Sequence, residues 1–325
     1  MGRGRGALSW QAWLAIVVAL VVLVPAVTIE GFRHPLTVFV LIRAFALLGM
    51  LGVGQSLVMA AGGIDLSLGS TFGISAMIMA WLHHLGYGFE VTLFAGLGAG
   101  SAIGLINGLL VTKLRFMPFI ATFAMLAIIR AGAYLIHYVP LEMIMLSVRG
   151  TAWTYLASGH SPLWLPPCFL IVIGLAVGVW WLLSRTRFGL WAYATGGNLN
   201  AARAAGVPVD GIRILTYVVA GLLAAVAGML NAGALEGVRP YFGAGMELMS
   251  LAAVIIGGTS LTGGSASILG TMLAVMLFTL ADRGIAIIGL APHSQEIALG
   301  LIVLSALVVT RLVPAGAVSK RRLIR

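Results

Sequence analysis

Apolar runs alternate with short polar turns along almost the whole chain. The runs have the length and composition of membrane-spanning helices, which need about 20 mostly apolar residues each. We predict ten spans, of which the eighth and ninth are short and interrupted by glycine. They cover residues 13–28, 38–60, 66–82, 91–111, 118–138, 165–184, 214–235, 248–256, 268–281 and 297–312. The pattern therefore predicts an all-α, polytopic integral membrane protein that forms a single transmembrane domain over residues 1–325.

The composition agrees with this prediction. Of the 325 residues, 61% are hydrophobic and 9% are charged, whereas soluble domains carry about 25% charged residues. Ten spans would occupy about 200 residues and leave room only for short loops, which excludes a large soluble domain. The single cysteine, Cys168, lies in an apolar run and permits neither an intrachain disulfide nor a cysteine metal cluster.

The net charge of +10 would suggest nucleic acid as the partner of a soluble protein. Here the basic residues lie at the chain ends and in alternate turns, a pattern typical of cytoplasmic loops in a bacterial inner-membrane protein. We therefore predict that both termini are cytoplasmic and that the chain contacts membrane lipid and no nucleic acid. The basic positions of the predicted cytoplasmic turns are Lys113, Arg115, Arg185, Arg187, Arg203 and Arg213.

Two glycine-rich breaks, at residues 62–70 and 257–265, interrupt the apolar pattern. At an offset of 195 residues, five positions are identical and Ser67 matches Thr262. The similarity suggests two related halves in the same orientation. Paired interruptions of this kind indicate a transport path, because irregular backbone at membrane depth needs protein or water to satisfy it. Alternatively, Asp65 caps a helix that begins at Leu66.

Known catalytic and metal-binding patterns are missing from the sequence. The second break has the glycine spacing of a phosphate-binding loop, but Gly264 occupies the position of the required lysine. We therefore expect no ATP hydrolysis by this chain, no cofactor, no metal site and no catalytic residue. Arg130 lies within a predicted span, where either an interhelical partner or a transport role explains a charge.

The longest predicted cytoplasmic turn, at about residues 185–213, contains a short helical pattern. Asn198 is a good N-cap, the following alanines favour a helix, and Gly206 with Pro208 ends it. So short a helix is not stable alone in water. It needs either a docking partner or the bilayer surface.

Several motifs together resemble the permeases of ATP-binding cassette importers for ribose, xylose and galactose. They are Gly-Gly-Ile-Asp-Leu-Ser at 62–67, Arg-Phe-Gly at 187–189, Ala-Thr-Gly-Gly-Asn at 194–198, Met-Glu-Leu at 246–248, the glycine-rich stretch at 254–264, and Val-Thr-Lys at 111–113 with Pro-Phe-Ile-Ala-Thr at 118–122. The resemblance covers about residues 38–312. It departs from the family at Asn200, where a glutamate is common.

The resemblance implies the architecture and partners of such an importer. A second permease subunit, identical or different, would complete the membrane core. Cytoplasmic ATP-binding subunits would dock on the turn at 185–213 through Gly197, Asn198, Ala201, Ala202, Arg203 and Gly206. A periplasmic binding protein would deliver a pentose or hexose, with the furanose form included. The translocation path would be lined near Gln55, Asp65, Ser67, Ser70, Asn107, Glu247, Thr259, Ser260 and Thr262.

Two other functions remain open from the sequence. An ion-coupled secondary transporter usually needs carboxylates within its spans, and Asp65 is the one candidate that the predicted spans and breaks offer. A permease of the same type for branched-chain amino acids is the closer alternative. The motif at 62–67 favours a sugar, but the sequence does not identify which one.

Overall fold

The computed structural model describes residues 10–138, 146–148, 150–159, 165–287 and the single positions 297, 300, 301 and 304. The described part is almost entirely helical. The helices are α1 (Trp10–Thr28), a 3-10 helix (Glu30–Arg33), α2 (Pro35–Ala60), α3 (Leu68–His84), α4 (Phe89–Thr112), α5 (Pro118–Tyr138), α6 (Ala152–Ser158), α7 (Pro167–Arg185), α8 (Arg187–Gly197), α9 (Leu199–Ala204), α10 (Val209–Ala234), α11 (Met246–Ile256) and α12 (Ile268–Ile287). Two short strands are β1 (Leu146–Ser147) and β2 (Gly237–Val238).

Each of the first nine predicted spans overlaps one of these helices. Six of the described helices are long and apolar enough to cross a membrane: α1, α2, α4, α5, α7 and α10. With 17 and 11 residues, α3 and α11 are shorter. The tenth predicted span, 297–312, lies mostly outside the described residues. An all-α membrane architecture is therefore supported, whereas the number of ten spans stays a prediction.

Two segments expected to be loops contain regular structure. Leu146 and Ser147, between α5 and α6, pair with Val238 and Gly237, between α10 and α11, in a small antiparallel sheet. Two residues in each strand leave the all-α fold class unchanged. The predicted cytoplasmic turn contains the 11-residue helix α8 near its beginning. This helix begins at Arg187 because Thr186 caps it by accepting a hydrogen bond from the Gly189 amide.

The long helix α10 lies at the centre of the bundle, where it packs against α2, α3 and α4. Glycines allow this close approach. A Cβ on Gly104 of α4 would collide with the Tyr217 carbonyl of α10, and one on Gly221 would collide with the Gly100 carbonyl. Small residues bring helix backbones together in lipid in this way, which explains part of the high glycine content.

The connection from α10 to α11 folds back onto the beginning of α3. Gly73 lies against the Phe242 carbonyl, and Gly69 lies against Glu247 and the Gly243 carbonyl. The first turns of the two short helices, α3 and α11, are thereby placed side by side. Ser70, in the first turn of α3, and Glu247, in the first turn of α11, lie at this meeting point.

Candidate functional site

The first break is organised around a buried hydrogen-bond cluster of Asp65, Ser67 and Asn107. Asp65 Oδ1 accepts hydrogen bonds from the Ser67 amide (2.8 Å) and from Ser67 Oγ (2.7 Å). Asn107 Nδ2, on α4, donates to Ser67 Oγ (2.7 Å) and lies 3.4 Å from both carboxylate oxygens of Asp65. Three residues of the predicted path are thus in contact, although they bond mainly to one another.

Asp65 does not cap a helix beginning at Leu66, as one interpretation of the sequence had it. The helix α3 begins at Leu68, and Ser67 occupies the N-cap position. Asp65 instead accepts from the amide two residues ahead, which is an Asx turn. The predicted capping role is therefore wrong in register, and the carboxylate stabilises the break that precedes the helix.

The irregular backbone of the first break is satisfied by three side chains that the sequence analysis did not select as site residues. Thr122 Oγ1 accepts from the Leu66 amide (3.1 Å), Tyr217 Oη donates to the Ile64 carbonyl (3.2 Å), and Arg213 Nη2 donates to the Gly62 carbonyl (3.1 Å). These partners explain how non-helical chain is tolerated inside a helix bundle. Thr122 belongs to the motif at 118–122, which could have marked it as a site residue. Nothing in the local sequence indicates that Tyr217 or Arg213 bonds to the break.

The polar side chains of the second break bond to one another or to the chain just after the break. Thr259 Oγ1 accepts from the Ser267 amide (3.1 Å), and the hydroxyls of Ser260 and Thr262 lie 2.9 Å apart. Thr259 is buried, whereas Thr262 is exposed. This group does not join the cluster around Asp65 by any hydrogen bond recorded among the described residues.

The two breaks repeat one helix ending, but at an offset of 196 residues. The Gly62 amide bonds to the Met59 carbonyl and the Gly63 amide to the Val58 carbonyl. The amides of residues 258 and 259 bond in the same way to the carbonyls of residues 255 and 254. Gly62 and Gly258 both have positive φ, at +76° and +92°, as this ending requires. The sequence register of 195 is therefore wrong by one residue.

Both breaks meet the end of α8 at a group of glycines, Gly62, Gly196, Gly263 and Gly264, which we call the glycine junction. A Cβ on Gly196 would lie 3.0 Å from the Gly62 amide nitrogen and would collide with the Ala60 carbonyl. A Cβ on Gly263 would lie 2.7 Å from Gly62 Cα. The Gly264 amide donates to the Ala60 carbonyl (3.1 Å). Backbones from three distant parts of the chain thus touch with no side chain between them.

The short helix predicted in the turn at 185–213 is confirmed. Asn198 Oδ1 caps α9 by accepting from the Ala201 amide (3.0 Å), and Gly206 ends the segment with a φ of +79°. Ala202 is buried against the protein, while Ala201 and Arg203 are exposed and Gly197 ends α8. An exposed helix directly after the glycine junction is therefore available to a partner.

Charged groups link α9 to its neighbours. Asp210, at the beginning of α10, accepts from Arg203 Nη2 of α9 and from Lys113 Nζ at the end of α4, both at 3.0 Å. The two basic side chains are more than half exposed, so each pair adds little stability. The contact brings two of the predicted cytoplasmic turns together at one end of the bundle.

Of the remaining predicted path residues that lie in helices, Gln55 and Glu247 form no hydrogen bond with the cluster, whereas Ser70 contacts it. Gln55 is buried in α2, and its side-chain amide has no hydrogen-bond partner. Ser70 Oγ donates to the Ser67 carbonyl of its own helix. Glu247, in the first turn of α11, lies opposite Arg130 of α5, with 3.7 Å between Nη2 and Oε2. Groups of three or more metal-ligating side chains are absent from the described residues.

Over residues 37–310, the chain matches the family described as Branched-chain amino acid transport system / permease component. The chain belongs to this permease family. The matched region includes both breaks, the glycine junction, α9 and the Arg130–Glu247 pair. No solved structure matches the chain.

Curated relatives of the permease are import proteins matched over most of their length. The chain is 32% identical over 294 residues to the ribose import permease protein of Bacillus subtilis (strain 168), covering 90% of each chain. It is 33% identical over 312 residues to the autoinducer 2 import system permease protein of Enterobacter sp. (strain 638), covering 94% of this chain and 86% of the relative. It is 34% identical over 261 residues to the galactofuranose transporter permease protein of Escherichia coli (strain K12), covering 80% and 75%. The resemblance to monosaccharide importer permeases is thereby confirmed.

Proposed function

We propose that this permease is the membrane-spanning subunit through which an ATP-binding cassette importer moves a monosaccharide into the cell. Separate cytoplasmic subunits would hydrolyse ATP, and a periplasmic binding protein would supply the sugar. The observation that carries the proposal is the glycine junction, where the end of α8, directly before the exposed helix α9, touches both breaks. Such a contact suits a protein whose energy source is a partner chain, because a movement of α8 and α9 reaches the breaks without an intervening side chain.

The sugar is favoured over a branched-chain amino acid by the curated relatives, whose names specify ribose and galactofuranose. A neutral sugar needs polar contacts without net charge, and a path must not hold its substrate tightly. The paired charges of Arg130 and Glu247 meet the first condition. We propose that Glu247 faces the path, whereas Asp65, Ser67 and Asn107 hold the first break in shape because they are buried and bonded to one another.

The orientation is also part of the proposal. Lys113 and Arg203 meet at Asp210, and Arg213 lies a turn further along α10. Basic residues concentrated at one end of the bundle favour that end as cytoplasmic, which places α9 on the side of the ATP-binding subunits. We also propose that both termini lie on this side. A second copy or a homologous permease completes the membrane core.

Import should depend on the ATP-binding partner. In cells that express the permease with its binding protein, deletion of the cognate ATP-binding subunit should abolish uptake of labelled monosaccharide. Dissipating the proton or sodium gradient at constant ATP should leave uptake nearly unchanged. Uptake that persists without the ATP-binding subunit and follows an ion gradient would instead establish a secondary transporter.

Charge reversal on α9 should uncouple ATP hydrolysis from import. Arg203→Glu places a carboxylate on the exposed face of α9, and we expect import per ATP hydrolysed to fall by roughly tenfold, which corresponds to about 1.4 kcal/mol of lost coupling. The measurement is sugar import against phosphate release in proteoliposomes that contain the complete transporter.

Lys113→Glu is the matched control for this prediction. It sets a second carboxylate against the same Asp210, but it lies on α4, away from the docking helix. The control should retain the wild-type ratio of import to hydrolysis. Equal loss in both variants would mean that the ion pairs at Asp210, and not the exposed face of α9, determine coupling.

A further inference from the structure

Arg130 and Glu247 approach each other without completing a hydrogen bond. Arg130 lies near the middle of the 21-residue helix α5, and Glu247 lies in the first turn of α11. The 3.7 Å between Nη2 and Oε2 exceeds the distance of a direct hydrogen bond. Both atoms are buried, and neither has a hydrogen-bond partner. Burial of charged atoms without hydrogen-bond partners costs free energy. A third polar group that bonds to both atoms would therefore stabilise the pair.

The carboxylate is held in this position by its surroundings. The Gly245 amide donates to Glu247 Oε1 at 3.2 Å, which fixes one oxygen and turns the other towards Arg130. Gly69 of α3 leaves the space that Oε2 occupies, since a Cβ there would collide with it. Gly245, which precedes α11, and Gly69, in the first turn of α3, therefore shape this position, and the pair is set before any ligand arrives.

A hydroxyl group beside the pair can lie within hydrogen-bond distance of both atoms, because their separation of 3.7 Å is less than twice the length of a hydrogen bond. A hydroxyl accepts a hydrogen bond from the guanidinium and donates its own hydrogen to the carboxylate at the same time. Hydrogen bonds to charged groups are the stronger ones, and the opposite charges cancel, which suits an uncharged ligand. The side chains of Arg130 and Glu247 are 21% and 10% exposed, but Nη2 and Oε2 themselves are buried, so a hydroxyl would reach them only when the surrounding helices part during import.

We propose that Arg130 and Glu247 form a hydroxyl-binding pair that contacts the imported monosaccharide at the beginning of α11. The proposal rests on the proposed function and adds to it the residues and the hydroxyl chemistry by which the permease itself distinguishes sugars. When no sugar is bound, a water molecule can bridge the same two atoms.

The decisive variant removes both charges together. Arg130→Met alone would leave Glu247 buried and unpaired, which destabilises the fold, whereas apolar replacement of a whole buried ion pair is often neutral for stability. The double variant Arg130→Met/Glu247→Met should therefore insert and unfold thermally much as the wild type does. A stabilising ion pair without a sugar role would show its effect in this unfolding measurement and not in the choice of sugar.

The test compares sugars that differ by one hydroxyl. Proteoliposomes with the complete transporter and one binding protein are supplied with D-ribose and 2-deoxy-D-ribose, or with D-galactose, 2-deoxy-D-galactose and 6-deoxy-D-galactose. The ratio of the two import rates is taken for each variant, so that the contribution of the common binding protein cancels. We expect the wild type to prefer the complete sugar in at least one pair. The double variant should reduce that preference by roughly tenfold, the scale of one hydrogen bond to a charged group.

Asp282→Asn/Arg283→Gln serves as the control, because it removes an ion pair of 3.4 Å from α12 and should keep the wild-type ratio. Glu247→Gln should give an intermediate ratio, since it keeps an acceptor but loses the charge. An unchanged preference for the hydroxyl in a stably inserted double variant would overturn the hydroxyl-binding pair. If the wild type imports none of these sugars in the presence of ATP and the partner subunits, the proposed function itself is wrong. The proposal that the pair binds a sugar hydroxyl then fails as well.

Discussion

Alanine in place of Gly196 is expected to reduce import strongly. The new Cβ would collide with the Ala60 carbonyl and lie 2.5 Å from the Gly264 amide nitrogen. Both are backbone atoms joined to each other by a hydrogen bond of 3.1 Å, so neither can turn away as a flexible side chain would. Forcing extra atoms into such a contact costs about 1–3 kcal/mol, and the three segments at the junction must separate.

We expect sugar import by Gly196→Ala to fall by at least roughly tenfold, the rate equivalent of about 1.4 kcal/mol, with a lower temperature of thermal unfolding. ATP hydrolysis by the docked subunits should persist, because α9 and its cap do not contact the new methyl group directly. The measurements are import, phosphate release and unfolding of the same purified complex.

Gly178→Ala is the matched control. Gly178 lies within the helix α7, so both variants share the helix propensity that alanine adds. A Cβ on Gly178 would meet no atom within 4 Å, and import should stay close to that of the wild type. Normal import by Gly196→Ala would show that the end of α8 moves independently of the breaks. That result would remove the argument that the glycine junction transmits a movement of α8 and α9 to the breaks, on which the proposed function depends.

The features that could be predicted from the sequence are those encoded by neighbouring residues. The helix α9 follows from a capping asparagine, a run of alanines and a terminating glycine, and the structure reproduces each of these. The spans follow from apolar runs, and the breaks from glycine pairs. In each case the physical cause lies within a few positions of its effect, so the local pattern is sufficient.

The features that the sequence did not reveal depend on distant backbone. The approach of Gly196 to Gly62 and Gly263 is a matter of packing, and one glycine resembles another in sequence. The partner of Arg130 could not be named because α5 and α11 are far apart along the chain. The offset of 196 between the helix endings became visible only from hydrogen bonds, since the sequence identities, which include both glycines of each pair, favour the offset of 195.

Asp65 illustrates an ambiguity that is local and still not decided by the sequence. An aspartate just before a helix serves either as its N-cap or in an Asx turn, and both use a carboxylate oxygen and an amide two or three residues ahead. The structure selects the turn, with α3 beginning at Leu68. The selection follows from Asn107 on α4, which donates to Ser67 Oγ and holds that side chain beside the carboxylate.

Asp65→Ala is therefore expected to act mainly on stability. The Ser67 amide and Ser67 Oγ would lose their acceptor, and a buried donor left unpaired costs about 1–3 kcal/mol. We expect the two losses together to lower the free energy of unfolding by about 3 kcal/mol and to reduce import in proportion to the folded protein. Thermal unfolding of the solubilised permease, measured beside import per folded molecule, checks this.

Asp65→Asn separates a scaffold from a path residue. The amide keeps an oxygen for the Ser67 donors, but its nitrogen would face Asn107 Nδ2, which lies 3.4 Å from both carboxylate oxygens in the wild type. Stability should thus be intermediate, and the double variant Asp65→Asn/Asn107→Asp should recover part of the loss by exchanging the two groups. Import per folded molecule should stay near the wild-type value in all three variants, because the cluster is buried and contacts the break and not the sugar. A large loss of import with unchanged stability would place Asp65 in the path itself, and the first break would then bind substrate directly.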